Sequence, residues 1–362
     1  MDKVLTSRHG PLVAGGILGA IAALLVYFGN PANMGICVAC FTRDIAGALG
    51  LHRAGIVQYL RPEIPALILG AFASSLLYRE HAPRGGSSPI ARFFLGVFAM
   101  FGALVFLGCP WRAYLRVAGG DWNALYGVGG LFVGAGLGIA FLWNGFSLGA
   151  AERNPKAAGF VMPLVALALL ALVVLKPLFG TEGTGPIFFS KEGPGAAHAP
   201  LIISVAAGLV IGWLAQRSRF CTVGALRDLL MMRDAHLFKG VVAFTAVAFI
   251  VNYALGQFHP GFEKQPVAHT NELWNFLGMV LSGLAFTLAG GCPGRQIIMA
   301  GEGDSDASVF IMGMLTGAAL AHNFSAASSG AGVGPYGIPV TIIGLIVCGL
   351  IGLGFRDNQK AV

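Results

Sequence analysis

Long apolar runs separated by short polar or basic breaks make up nearly the whole chain. The runs lie near 11–29, 55–79, 90–108, 122–143, 160–179, 200–214, 236–258, 272–290, 305–324 and 337–355. Crossing the hydrocarbon core takes roughly 20 apolar residues in a helix. The pattern therefore predicts an all-α polytopic membrane protein with about ten spans. Four segments between runs are too apolar for ordinary loops: Ile45–Leu49, Trp111–Leu115, Val223–Leu226 and Gln296–Met299. They are expected to be short helices that dip into the membrane and return. Irregular backbone at that depth survives only where protein or a water-filled cavity covers it. The alternative is a helix lying flat at the interface.

Basic residues orient the spans. Arg79, Arg84 and Arg92 flank one connection, Arg153 and Lys156 another, and Arg356 and Lys360 close the chain. All fall on one side if both termini are cytoplasmic, where Lys and Arg concentrate. The stretches 180–199 and 259–271 then face outside; the first carries Glu182, Lys191 and Glu192 and is rich in Gly and Pro. Lys3 and Arg8 ahead of the first run mimic a signal peptide, but no convincing small-residue cleavage site follows, so this run counts as a span.

The chain repeats itself. At an offset of 183, residues 108–124 share seven of seventeen identities with 291–307: Gly108/Gly291, Cys109/Cys292, Pro110/Pro293, Arg112/Arg295, Gly120/Gly303, Asp121/Asp304 and Ala124/Ala307. At an offset of 184, Cys37/Cys221, Arg43/Arg227 and Asp44/Asp228 match. Residues 1–180 and 200–362 are thus expected to be two copies of one unit, joined by an extracytoplasmic linker at 181–199. Five spans per copy is an odd number, so the second copy must enter from the opposite face. Such inverted repeats place a transporter's site near the bilayer midplane.

The repeated residues carry the chemistry. In Gly-Cys-Pro-x-Arg, proline suits the first position of a helix. Cys109 and Cys292 then sit where free N–H groups and the positive end of a dipole meet, and Arg112 and Arg295 add fixed charge. A thiol in such a place can donate S–H to an anion. Small buried cysteines also simply pack well, but two copies in opposed halves favour a site. In Cys-(x)5-Arg-Asp, Arg43 and Arg227 either hold an oxyanion or pair with Asp44 and Asp228. Arginine and aspartate are costly in lipid and should face protein or water. Arg217 and Arg219 precede Cys221, whereas Asn33 and Gly35 precede Cys37, so the two mouths differ in charge.

Composition narrows the function. Of 362 residues 56% are apolar and 11% charged, against about 25% charged in soluble domains. The 54 glycines suit close helix packing. The net charge of +7 is spread over short loops, which argues against nucleic acid as a partner. Six irregularly spaced cysteines make no disulfide framework. No GxxxxGK[ST] loop is present, so ATP is not the direct drive. The histidines lack ligand spacing, and no cofactor or metal is expected. Glu63 is the main carboxylate candidate within the spans, and Cys348 reads as core packing. Cys37-Val-Ala-Cys40 is a CxxC, which supports a second reading as a membrane thiol/disulfide oxidoreductase.

The stretch Arg219-Phe-Cys-Thr-Val-Gly-Ala-Leu-Arg-Asp228, with the two Gly-Cys-Pro segments, resembles the YeeE/YedE family of bacterial inner-membrane sulfur transporters. Asn33-Met-Gly-Ile-Cys-Val-Ala-Cys-Phe-Thr-Arg-Asp44 is more similar to the selenium-linked, YedE/FdhT-like branch. The resemblance implies thiosulfate uptake through an hourglass-shaped protein, with thiol S–H groups handing the anion along a central path. By motif that role falls on Cys37, Cys109, Cys221 and Cys292. Cys40 is an extra thiol beyond the family's three-cysteine path and leaves thiosulfate and a selenium species both open as substrate. The expected assignment places Cys109 and Cys292 centrally, Cys37 and Cys221 toward the outer and inner mouths, and Arg43, Arg112, Arg227 and Arg295 as the source of positive potential. The expected partners are the small anion and the bilayer. Whether a cytoplasmic sulfur-carrier or selenium-handling protein collects the cargo stays open.

Overall fold

A computed structural model of the chain describes residues 2–175 and 187–356. Expectations about Glu182, Lys360 and the end of the fifth apolar run lie outside the described residues.

The first half runs through α1 (Asp2–Leu5), α2 (Gly10–Tyr27), α3 (Val38–Ala48), α4 (Glu63–Leu77), α5 (Pro89–Phe106), α6 (Pro110–Ala118), α7 (Asn123–Trp143) and α8 (Val161–Leu175). The second half runs through α9 (Leu201–Ser218), α10 (Thr222–Met232), α11 (His236–Ala254), α12 (Glu272–Leu288), α13 (Pro293–Gly301), α14 (Ser305–Asn323) and α15 (Gly337–Gly354). Among the described residues the only sheet is a two-residue pairing of Arg84–Gly85 with Glu152–Arg153. The protein is an all-α polytopic membrane protein. Each of the four short segments expected to be helical is a helix: α3, α6, α10 and α13.

Among the described residues, eight helical stretches are long and apolar enough to cross a membrane: Gly10–Tyr27, Pro89–Ala118, Asn123–Trp143, Lys156–Leu175, Leu201–Met232, His236–Ala254, Glu272–Gly301 and Gly337–Gly354. The apolar pattern counted about ten. The two remaining runs form α4 and α14. Arg61 and Pro62 delay the start of α4, leaving it 15 residues, roughly 22 Å at 1.5 Å per residue. In α14 the ends carry Ser305, Asp306, His322 and Asn323, which lower its apolarity.

Short and long helices recur in the same order in both halves. α3 and α10 are related by an offset of 184, and α6 and α13 by 183. The halves are not side-by-side lobes, because the main contacts cross between them. α2 packs on α11, α4 on α9, α5 on α14, α7 on α12, and α5 also on α12. The first two contacts are images of each other under exchange of the halves, as are the next two.

Glycine makes these contacts close. A Cβ on Gly130 or Gly134 of α7 would run into the Phe276 or Val280 carbonyl of α12. Backbone carbonyls cannot step aside as a flexible side chain can. Gly130→Val is therefore expected to destabilise the protein by about 3 kcal/mol, the upper end for overpacking. Thermal unfolding in detergent reads this as a lowered midpoint. Gly136, on the same helix with nothing near it, is the control that should tolerate Ala.

The short helices are deeply placed. All eleven residues of α3 are buried, as are eight of nine in α6 and seven of nine in α13. A helix lying flat on the membrane surface would leave one face open, so the flat alternative fails for these three. α10 differs, since its second half from Arg227 reaches partial exposure. Cys348 is buried within α15, as core packing requires.

Candidate functional site

Each short helix begins immediately after a cysteine. Cys37, Cys109, Cys221 and Cys292 occupy the N-cap positions of α3, α6, α10 and α13, all with extended backbone. Proline follows Cys109 and Cys292, supplying the fixed φ that a first helical turn needs. The sulfurs of Cys37 and Cys221 accept from the amides of Cys40 and Gly224, at 3.3 and 3.2 Å, and so cap their own helices. Those of Cys109 and Cys292 make no such cap bond. The capping role follows the first motif, not the Gly-Cys-Pro motif.

The structure brings the four thiols together as two pairs. Cys37 Sγ lies 3.8 Å from Cys109 Sγ, and Cys221 Sγ lies 3.7 Å from Cys292 Sγ. Each pair joins one residue of each repeated motif, within one half. All four are buried, Cys221 being the most open at 5%. All six cysteines are free thiols. Cys40 turns its sulfur toward the Leu107 carbonyl, 4.0 Å away, and toward Arg112 Nη1, 3.5 Å away.

The four arginines expected to supply positive potential are not alike. Arg112 is fully buried and clamps backbone. It donates to the carbonyls of Asn33, Pro266 and Val267 at 3.1–3.3 Å and to that of Leu107. Leu107 itself sits in a left-handed conformation (φ 63°) that leucine rarely adopts, and the Arg112 bond ties down that turn. Arg295, the equivalent in the second half, pairs instead with Glu302 at 3.2 and 3.3 Å. Arg43 lies on its neighbour Asp44, 2.6 Å, and Arg227 on its neighbour Asp228, 2.9 Å. Asp44 also takes Arg61 at 2.7 Å. The Arg-Asp motif thus forms internal ion pairs.

Several site-forming residues were not singled out from the chain. Arg61 joins Asp44 to the Pro194 and Ala197 carbonyls, docking the segment after residue 187 onto the first half. Arg116 and Asp121 form a fully buried pair at 2.6 Å; their spacing of five residues was the available signal. Glu63, the one carboxylate that had been noted, is fully buried. Its Oε1 accepts from Asn30 and from Ser204 of the other half, at 2.9 and 2.8 Å.

Two cavities are lined by residues near Cys37 and Cys221 in the chain. One, about 130 Å³, is lined by Asn33, Gly35, Leu115, Asn252, Gln257 and His259, close in sequence to Cys37. The other, about 390 Å³, is lined by Glu80, Arg217, Ser218, Arg219, Asp228 and His236, next to Cys221. The two cavities differ in charge, the second carrying Arg217 and Arg219 in its wall where the first carries none. At the second, Arg217 and Arg219 meet Glu80 at 2.7 and 2.9 Å, and Arg219 and Arg295 meet Glu302 at 3.0 and 3.2 Å.

Burial alone would raise the Glu80 carboxyl, but hydrogen bonds from Gln216 and Arg217 and the charge of Arg219 outweigh it and hold it below the ordinary carboxylate range. A depressed folded pKa contributes stability above the unfolded value, about 4.3, and loses it as pH falls through the folded value. The thermal midpoint is thus expected to drop below about pH 4. Glu80→Gln should flatten that part of the pH profile.

Comparison with known proteins meets this geometry at Cys221 and Cys292. Residues 217–340 match the sulphur transport family. The matched stretch holds the second thiol pair, Arg295 and all of α13. The thiosulfate transporter TsuA of Spirochaeta thermophila is 34% identical over 96 residues, 26% of this chain and 28% of that protein. TsuA of Escherichia coli is 30% identical over 96 residues, 26% of this chain and 27% of that protein. The chain thus spans little more than a quarter of the length of these curated relatives. These matches support the resemblance to the YeeE/YedE sulfur transporters drawn from the same motifs.

Proposed function

We propose that the protein carries a small sulfur-containing anion, thiosulfate or a close analogue, across a bacterial inner membrane along a path lined by cysteines. The observation that carries this reading is the pair of thiol pairs, Cys37 with Cys109 and Cys221 with Cys292, at the starts of four repeated short helices. Cys109 and Cys292 are the central contacts, since their thiols are not spent on capping. Cys37 and Cys221 serve the outer and inner mouths. Several weak S–H contacts in series let an anion both enter and leave. Soft sulfur or selenium at the end of an oxyanion suits such donors. A selenium oxyanion therefore stays within the substrate class, and Cys40 is the extra thiol that would favour it.

The path is the seam between two oppositely inserted copies, 1–180 and 200–362, with both termini cytoplasmic. In support, the equivalent residues Asp121 and Asp304 bridge to loops expected on opposite faces, at Gly261 and Arg84. Arg112 acts from within the wall as a fixed positive charge near Cys40, having no carboxylate partner among the described residues. Arg43, Arg227 and Arg295 contribute less, being paired. A cytoplasmic sulfur-carrier or selenium-handling protein would receive the cargo at the Arg217–Arg219 mouth.

Uptake of labelled thiosulfate and selenite into proteoliposomes tests the reading. The purified protein should drive accumulation that Cys109→Ala or Cys292→Ala lowers at least about tenfold. Normal uptake by both variants would sink it. The oxidoreductase alternative expects Cys40→Ala to be the inactive variant instead.

A further inference from the structure

The repeat breaks at one position inside its best-matched motif. At an offset of 183, Trp111 corresponds to Gly294. These two residues also touch, since a Cβ built on Gly294 would overlap the Trp111 ring at Cζ2. Equivalent positions of two copies related by a two-fold operation can meet only on the axis of that operation. The Trp111 ring therefore occupies the axis between the halves, and Gly294 is the vacancy that admits it. A tryptophan at both positions could not be housed there.

The ring also touches residues that adjoin the second thiol pair, from a helix that starts at the first. Trp111 lies two residues after Cys109. Its ring meets Phe220, the residue before Cys221, at 5.8 Å between centroids, and Gly294 two residues after Cys292. Phe244 completes the aromatic plug, 6.3 Å from Trp111 and 5.9 Å from Phe220. Trp111 is fully buried. Among the described residues its indole Nε1–H has no hydrogen-bond partner. A buried donor normally finds one, because leaving it unmade costs free energy. A buried tryptophan N–H usually reaches such a partner. Phenylalanine would fill the same space without that cost.

Resting on the transport reading above, we propose that Trp111 is the central gate and a substrate contact. Its ring closes the path between the two thiol pairs, and its N–H donates to the anion as it passes from Cys109 to Cys292. The single donor at the axis also contributes to selection, because the anion must leave one thiol pair before it reaches the other.

The test uses the full-length protein in proteoliposomes with labelled thiosulfate and labelled sulfate. Trp111→Phe keeps the plug and removes the donor, and should lower thiosulfate uptake about tenfold, the effect of one hydrogen bond to a charged acceptor. Trp111→Ala opens the plug and should raise sulfate entry at least severalfold over the unaltered protein. Gel filtration establishes that each variant is folded. Thiosulfate uptake by folded Trp111→Phe within twofold of the unaltered protein, with uptake by Cys109→Ala lowered at least about tenfold, overturns the inference. Absence of uptake by the unaltered protein, or full uptake by Cys109→Ala, overturns the underlying transport reading instead.

Discussion

If the protein carries thiosulfate as proposed, alanine at Cys109 or Cys292 should reduce its uptake between about tenfold and 100-fold, the range of a lost hydrogen bond to a charged group, roughly 1.5–3 kcal/mol. The argument rests on what each sulfur is doing without substrate. Cys37 and Cys221 accept from the amides of Cys40 and Gly224, so part of their function is to hold a helix start. Alanine there should cost both stability and transport. Cys109 and Cys292 make no cap bond, so alanine should cost transport with little change in thermal midpoint. Serine keeps a donor but shortens its reach and hardens it, and should retain a minor fraction of uptake. Cys40→Ala should lower uptake less than Cys109→Ala or Cys292→Ala on this reading, since its sulfur is turned toward the Leu107 carbonyl and Arg112. Transport kinetics and unfolding measured on these variants and the unaltered protein check the pattern. Equal effects at Cys37 and Cys109 on both readouts would contradict the division of labour.

The largest effect on stability is expected from Asp44→Ala, and it should far exceed that of Asp228→Ala. The two aspartates occupy equivalent places in the same motif. Asp44 is fully buried and shared by two buried guanidiniums, Arg43 at 2.6 Å and Arg61 at 2.7 Å. Removing it strands two charges away from water, and breaking one buried pair already costs about 3–5 kcal/mol. It also frees Arg61, which anchors the Pro194 and Ala197 carbonyls. Asp228 pairs with an Arg227 side chain that is 39% exposed. Water and salt screen that pair, so its loss should cost less than about 1 kcal/mol. Unfolding in detergent should separate the two variants clearly. Similar losses at both positions would show that burial is not what distinguishes them.

Much of the architecture was legible in the chain because lipid makes it so. A bilayer accepts only long apolar helices, so run length and polar breaks set element positions closely. The run at 272–290 became α12 at Glu272–Leu288, and that at 122–143 became α7 at Asn123–Trp143. The four short helices were visible as apolar segments behind Cys or Gly-Cys-Pro, since N-cap chemistry is local. Counting spans went less well. α4 and α14 fall short of the eight spanning stretches because a proline-delayed start and polar ends are compensated by neighbouring helices, which a linear pattern does not register.

Pairing and electrostatic roles belong to three-dimensional packing. The motif showed that Cys37 and Cys109 are special, but not that their sulfurs meet at 3.8 Å. It gave identical letters to Arg112 and Arg295, yet one clamps carbonyls in the interior and the other pairs with Glu302. It could not tell Asp44 from Asp228. Local sequence specifies where a helix starts and which group stands there, because those preferences act within a few residues. What that group faces, and how far water is from it, is set by packing against segments beyond its own helix, 72 residues on for Cys37 with Cys109 and 155 for Arg112 with Val267. Duplicate motifs therefore reach different environments once the halves close on each other around Trp111 and Gly294.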